Sequence, residues 1–560
     1  MTKPALLYVT MQPKPPLSPS QFHDWYNNEH GPGRLRLPFC QNGFRYRATD
    51  LDSPAGGSQS QPEWMALYDF DSMDRFTQDE YTRLRKDPIQ SQRERDTMKQ
   101  IFVDRKFYSL ENSWVSPEFE KLEDVAKEGE KSVLISVLVT LQSGPGIEAE
   151  FLKWYEEEHI QMVQKVPGWR RTRRFALSQL DVDAGKRAEH LILHDWASAN
   201  GIQGEAMKAA TSTPWAQKIY KEVYEKRTLR KYDLCYTFGP AARDLASLMD
   251  DQTVAAQSTD GLTRTLPAKD SGVDRPVIES FITTPDGASL PYRLEGNASP
   301  NAPLLVCINS ILVDYGIWDD FIPAFLTATK NKYRVLRYNT RGRFTLPETS
   351  TKDITVDTLA ADVITILDAL RVPTAAVVGV SLGGATALNL ALKYPSRISA
   401  FVACDTNAMA PPGNPRAWGE RIDMAASEAS TSLSGEKVVG QNLAEATVRR
   451  WFTPQSYASA SFLPRIEAVK NMVATNSLAG LQDSVRALYA YDFRPEMGGF
   501  TGKGAFLVGA GDGVLPKSMK EMAASLGTGV ELKVVEGAGH LPMVERPGEV
   551  GESVGGFLER

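Results

Sequence analysis

TAAVVGVSLGGATALNLALKY, residues 374–394, decides how the second half of this chain folds. It opens on a continuous run of small and β-branched apolar residues, 375–380, which reads as a strand buried on both faces of a mostly parallel sheet. Gly379-Val380-Ser381-Leu382-Gly383 closes that run, and helix formers such as Ala385, Ala387, Leu388 and Leu390 follow at once. A strand that passes through G-x-S-x-G directly into a helix holds its serine on a sharp, strained bend above the sheet edge. Gly379, Gly383 and Gly384 keep the bend free of side chains where backbones must approach. The helix N-terminus beneath the hydroxyl favours negative charge developing nearby. Ser381 is therefore the candidate nucleophile.

A serine needs a base. Beyond residue 276 the chain holds one histidine, His540, in VVEGAGHLPMVERP (534–547), a glycine-flanked loop after a strand-like run. The carboxylate that would orient it is Asp512, in AFLVGAGDGVLP (505–516), at the end of another apolar strand. Asp405, directly after ISAFVAC (398–404), is the rival acid. Asp512 is preferred for its glycine-rich turn and its position nearer the histidine. An oxyanion hole requires two backbone N–H donors. Leu382, just past the nucleophile, is one candidate, and Ile311, in the loop after the strand-like PLLVCIN (303–309), is the other. From about 409 to 493 the sheet pattern gives way to helical residues, which read as a lid over the bend. Trp418, Arg450 and Trp451 in that stretch, and Asn309 below it, are candidate substrate-binding residues. The plain alternative for the tryptophans is packing within the lid.

The order strand, bend, acid, histidine resembles the α/β-hydrolases. NSILVDYGIWDDFIPAF (309–325), YNTRGRF (338–344), Asp405-Thr406-Asn407, Trp418 with Arg421-Ile422, and Arg450 to Pro454 are similar to 3-oxoadipate enol-lactonases over about 278–558. The resemblance implies a serine hydrolase acting on an ester or an enol-lactone of a small, aromatic or polyketide-like metabolite, of the kind met in secondary metabolism. Hydrolysis of a C–C bond in a β-diketone is the neighbouring alternative. Leu312-Val313 and Phe344 stand where that family has glycines, close to the expected pocket mouth.

The first half repeats itself. Phe22-x-x-Trp25-Tyr26-x-x-Glu29-His30 recurs 129 residues later as Phe151-x-x-Trp154-Tyr155-x-x-Glu158-His159. Each copy follows an apolar strand-like run and precedes an aromatic one, GFRYRA from Gly43 and GWRRTRRF from Gly168. The spacing of three and four places Phe, Trp and Glu along one helical stripe. Strand, helix, strand, strand and a helical tail read as a ferredoxin-like α+β unit. Two such units can close off each other's apolar sheet face. The motif resembles the EthD-like branch of the dimeric α+β barrels, which implies a fused pseudo-dimer, repeat 1 over 1–112 and repeat 2 over 131–238. A linker follows over 239–275, then the hydrolase over 276–560. His30 and His159 are second-site candidates, with bracing of the helix end as the structural alternative. The barrel would then be either a decarboxylase, cyclase or cofactor-free oxygenase with the hydrolase half auxiliary, or a binding or dimerisation module without chemistry of its own.

The remaining features bound the function. The net charge of −6 is spread without single-sign blocks, which argues against a nucleic-acid partner. Cys40, Cys235, Cys307 and Cys404 are far apart and outside any CxxC pair, so neither a disulfide framework nor a metal site is expected, and no cofactor is implied. The opening MTKPALLYVTMQPKPP holds too short an apolar run for a signal segment, and no stretch is long enough to span a membrane. The expected setting is cytoplasmic and the expected partner a small-molecule substrate. Fusion of the two copies supplies the barrel's partner internally and leaves homo-oligomerisation open.

Overall fold

The computed structural model of the protein describes residues 3–53, 56–122, 132–178, 180, 188–526 and 530–560; the expected start of the second repeat, at 131, lies outside them. The chain forms two compact units. One runs to Ala242 and includes Ser258–Asp260; the other comprises Arg243–Gln257 and Gly261–Arg560.

The N-terminal unit is a closed eight-stranded barrel. Its strands are β1 (Ala5–Pro13), β2 (Cys40–Ala48), β3 (Trp64–Phe70), β4 (Ile101–Val115), β5 (Val133–Leu141), β6 (Trp169–Leu177), β7 (Glu189–Trp196) and β8 (Tyr224–Thr237). They run in the order β1-β3-β2-β8-β5-β7-β6-β4. The two longest strands close it. β4 pairs with β1 through its first half and with β6 of the other copy through its second. β8 does the same between β5 and β2. Each copy's exposed edge is thereby consumed by the other, and the barrel has no free edge.

Alternation along the strands divides the barrel's apolar side chains into three cores. Leu6, Tyr8, Phe44, Tyr46, Leu67, Leu134, Phe175 and Leu193 share one. The neighbouring positions of the first copy, Leu7, Val9 and Met11, pack with Phe22, Trp25 and Tyr26 from its helix. Val137 and Val139 pack in the same way with Phe151, Trp154 and Tyr155. In both copies the helix widens into a π turn over the motif's second half. The N–H of Gly31 reaches the carbonyl of Tyr26, and that of Ile160 reaches Tyr155. Sequence periodicity gave no warning of these turns, because one inserted residue preserves the apolar stripe on either side.

The second unit carries a ten-stranded sheet: β9 (Ala256–Gln257), β10 (Arg264–Leu266), β11 (Val277–Thr283), β12 (Ser289–Gly296), β13 (Leu304–Ile308), β14 (Arg334–Tyr338), β15 (Ala375–Val380), β16 (Ile398–Cys404), β17 (Gly504–Gly509) and β18 (Glu531–Val535). The order is β18-β17-β16-β15-β13-β14-β12-β11-β10-β9, parallel from β14 to β18 and antiparallel beyond. The chain leaves β13 toward β14 on one side, and β15 then docks on the other. The loops after β13 and β15 meet at that switch point, the crevice where open α/β sheets place their ligands.

The segment 239–275 departs from the expected linker. It contributes β9 and β10 to the sheet, with Leu248 and Thr253 fully buried. Strands of two and three residues have no readable period, and they are held by backbone pairing that composition does not reveal. The stretch 409–493 is helical, as expected, and no described helix is long and apolar enough to cross a membrane.

Burial makes the barrel sensitive to acid. It pushes His23 and His194 down to about 3 and His159 to about 4. An unfolded chain takes up these protons near pH 6.5, whereas the folded one stays neutral until well below it. The unfolded state therefore binds more protons in this window, and stability is lost as pH falls from about 6.5 toward 4, by up to about 1.4 kcal/mol per pH unit per histidine. Calorimetry across this range is expected to show the barrel's Tm falling, and His194→Asn should flatten the slope.

Candidate active site

Ser381 sits at the end of β15 with φ 57° and ψ −117°, a conformation costly for any residue with a side chain. Backbone contacts hold it there. Its N–H donates to the Cys404 carbonyl at 2.9 Å, and its own carbonyl accepts from Thr406 Oγ1 at 2.8 Å. A Cβ on Gly379 would strike the Gly383 carbonyl, one on Gly383 would strike those of Ile308 and Asn309, and one on Gly384 would lie 2.7 Å from the Cys404 carbonyl. The helix Leu382–Lys393 starts directly after the serine. The first N–H groups of a helix have no intrahelical acceptor, so that of Leu382 is free to serve a ligand.

The Gly383 approach presses the loop after β13 against the elbow. In that loop Leu312 adopts φ 72° and Ile311 is buried. Asn309 differs from its expected role as a substrate contact. It is 1 % exposed, donates through Nδ2 to the Tyr338 carbonyl at 2.8 Å and accepts from Trp318 Nε1 at 2.9 Å. Its amide is committed to fixing the loop, because a buried polar group is held by whatever partners lie beside it.

His540 Nδ1 lies 2.7 Å from Asp512 Oδ2. Of the two rival carboxylates, Asp512 is the one on the imidazole. Burial alone would push Asp512 up, but the imidazole's charge and hydrogen bond hold it below the usual carboxylate value. Asp405 lies deeper, at 1 % exposure, with Oδ1 accepting the Gly509 N–H at 2.9 Å.

The histidine loop is braced by the helical segment above the sheet. The His540 N–H donates to the Trp451 carbonyl at 2.8 Å, and the Trp451 ring stacks on the imidazole with centroids 5.5 Å apart. Trp451 thus supports the His540 loop and ring. Sequence reading missed the second brace, Glu545. Its buried carboxylate accepts from the Gly539 N–H at 2.5 Å, the Thr453 N–H and Oγ1 at 3.0 Å each, and Ser456 Oγ at 2.5 Å. An acidic residue five positions past the histidine, in an apolar turn, was the available signal.

Trp418 is buried at 7 % exposure, with the Arg421 guanidinium 4.7 Å over its ring. Arg450 lies in the last turn of the helix Gln441–Trp451; burial, followed by the charge of Arg421, pulls it down to about 10. Neither arginine forms an ion pair among the described residues, and Arg450 feels the charge of Asp512. Arg421 and Arg450 lie close enough for the charge of one to act on the other.

The second-site candidates diverge between the copies. Glu29 accepts from Ser91 Oγ, and Glu158 from Thr213 Oγ1 at 2.6 Å. Both hydroxyls are N-caps of a following helix, so the two glutamates are braces. His30 Nδ1 is tied to Glu94 at 3.1 Å. His159 Nδ1 meets only a backbone carbonyl, that of Ala210 at 3.2 Å, and its ring stacks on Trp154.

Comparison with known proteins agrees with this architecture. A family model described as the alpha/beta hydrolase fold matches residues 303–547. A 3-oxoadipate enol-lactonase of Acinetobacter baylyi is 27 % identical over 277 residues, covering 50 % of this chain and 96 % of that protein. Among solved structures, a hydrolase from Pseudomonas aeruginosa is 33 % identical, covering 50 % of this chain and 98 % of its own, with TM-score 0.43. The enol-lactonase from Burkholderia xenovorans is 26 % identical, covering 50 % and 100 %, with TM-score 0.44. The C-terminal half has the α/β-hydrolase fold, and the protein is a hydrolase.

Glu545→Gln would turn an amide donor toward a ring of four donors. It is expected to lower stability by at least about 2 kcal/mol and to reduce turnover with it, read from the denaturation midpoint and from activity on the same preparation.

Proposed function

We propose that the C-terminal unit hydrolyses an ester or enol-lactone of a small, carboxylate-bearing metabolite through Ser381, His540 and Asp512. The observation that carries this reading is the 2.7 Å bond between His540 Nδ1 and Asp512, in a unit that also builds the strained bend at Ser381. With Nδ1 bonded to the carboxylate, the other imidazole nitrogen is left to take the serine proton. Ser381 Oγ attacks the acyl carbon, and the N–H groups of Leu382 and Ile311 receive the oxyanion. The imidazolium then gives its proton to the leaving alkoxide or enolate oxygen. Water, deprotonated by the same nitrogen, releases the acid and regenerates Ser381. Asp512 stays ionised throughout and stabilises the imidazolium. Arg421 and Arg450, lacking carboxylate partners, would hold the substrate's own carboxylate beneath the helical segment, which we read as a lid.

A second reading concerns the barrel, which we take as a duplicated EthD-like unit. It is favoured by a cavity of about 180 Å³ in the second copy, lined by Trp154, His159, His194, Trp196, Tyr220 and Tyr224. A carbonyl can only accept, so His159 Nδ1 carries the proton and burial keeps the ring neutral, leaving Nε2 as an acceptor. Thr172 Oγ1 receives the Trp169 Nε1–H at 2.8 Å and can spend its own proton on His194 Nδ1, also at 2.8 Å. His194 Nε2 then becomes a donor. One acceptor and one donor among aromatic rings suit a single-ring phenol or enol, since a cavity near 150 Å³ accommodates benzene.

Ser381→Ala is expected to reduce turnover of lactones and aryl esters by at least about 10⁴-fold while leaving the fold intact. A serine-directed fluorophosphonate should label the natural protein and not this variant; equal labelling would end the hydrolase mechanism. For the barrel, ligand-detected NMR on the full chain should show phenol binding that weakens about tenfold or more in His159→Phe, with lactone turnover unchanged. Binding of toluene as tight as that of phenol would rule out the donor–acceptor reading.

A further inference from the structure

Asp405 is a buried carboxyl group that the proposed mechanism does not use. It follows β16 in a left-handed backbone conformation, φ 46°, and its N–H donates to the Leu507 carbonyl at 3.0 Å. Its Oδ1 takes the Gly509 N–H, while no N–H or O–H of another residue reaches the buried Oδ2, and the Asp405 carboxyl lies within hydrogen-bonding reach of that of Asp512. One oxygen of Asp405, one of Asp512 and one ring nitrogen of His540 all lie within 4.8 Å of one another.

Two ionised carboxylates this close, one of them sealed from water, repel each other severely, and one proton between them removes the repulsion. The location of that proton follows from the neighbours. Asp512 accepts from His540 and feels the charge of Arg450, both of which favour its anion. Asp405 faces Asp512, Glu545 and the thiol of Cys404, none of which favours a second anion. Burial, with Asp512 second, holds Asp405 well above the carboxylate range.

We propose that Asp405 is a positioning residue for the hydrolase: a neutral carboxylic acid whose Oδ2–H is directed at the Asp512 carboxylate and holds it ionised and oriented for His540. The inference rests on the assignment of Ser381, His540 and Asp512 as the reacting set. A proton facing Asp512 replaces repulsion with attraction and draws off part of its negative charge. The imidazole is then steadied without being made so basic that it stays protonated when the serine needs a base. Loss of the Asp405 proton at high pH would place two anions side by side and loosen the histidine's partner.

Asp405→Asn and Asp405→Leu separate this role from simple bracing. Asparagine keeps an acceptor for Gly509 and a donor for Asp512 but cannot ionise. Its kcat is expected within about threefold of the natural protein, and the alkaline fall in kcat should vanish. Leucine supplies no donor, so kcat should drop about tenfold or more. The acid limb of kcat/KM should move up by about one pH unit, because an unshared Asp512 charge stabilises the imidazolium. Infrared difference spectroscopy should show a protonated carboxyl C=O band in the natural protein that is missing from Asp405→Asn. A natural-minus-variant infrared spectrum that lacks this band, or equal losses of kcat in both variants with unmoved pH limbs, would overturn the proposal. The infrared reading does not depend on turnover. If Ser381→Ala were to remain active, the reacting set would fall while the proton on Asp405 was still decided by the band.

Discussion

The bend at Ser381 depends on backbone surfaces meeting without side chains between them. Gly379 faces the start of the following helix, Gly383 faces the loop after β13, and Gly384 faces the end of β16. Three neighbouring segments are thus drawn against one turn. The hydroxyl, the buried loop at Ile311 and the carbonyl of Cys404 share a location because nothing larger than hydrogen fits between them. The parallel sheet supplies the rest. Its strands end at one edge, and the loops carrying Ser381, Asp405, Asp512 and His540 all leave from that edge.

In the N-terminal unit the governing constraint is the sheet edge. A four-stranded antiparallel sheet with one apolar face has two unpaired margins and an uncovered surface. Extending β4 and β8 into the opposite copy removes both at once. The two repeats are not alike in every contact. Glu29 and Glu158 both accept from an N-capping hydroxyl, whereas His30 Nδ1 meets Glu94 and His159 lines a cavity.

Much of this was legible in the sequence, and for physical reasons. The elbow announces itself because strand, glycine turn and helix each have their own local signature. His540 was found because the second half offers no other imidazole. The repeat was visible through its aromatic residues, which are too bulky to be interchanged freely in a core. What escaped was tertiary. Glu545 and Asp405 are single acidic residues in apolar stretches, and only the fold reveals that one is surrounded by donors and the other faces a second carboxylate. The Asn309 side chain turned inward because Trp318 and Tyr338 were there to receive it, a pairing that no spacing rule encodes. The short strands β9 and β10 were hidden in polar, aperiodic chain.

Trp451 has a consequence for timing. The same residue that terminates a helix also holds the main chain and ring of His540. A displacement of that helix wide enough to admit a bulky molecule would take the imidazole's support with it. Under the proposed mechanism access and reactivity would share one mechanical part, and the imidazole would be steadiest with that helix settled against it.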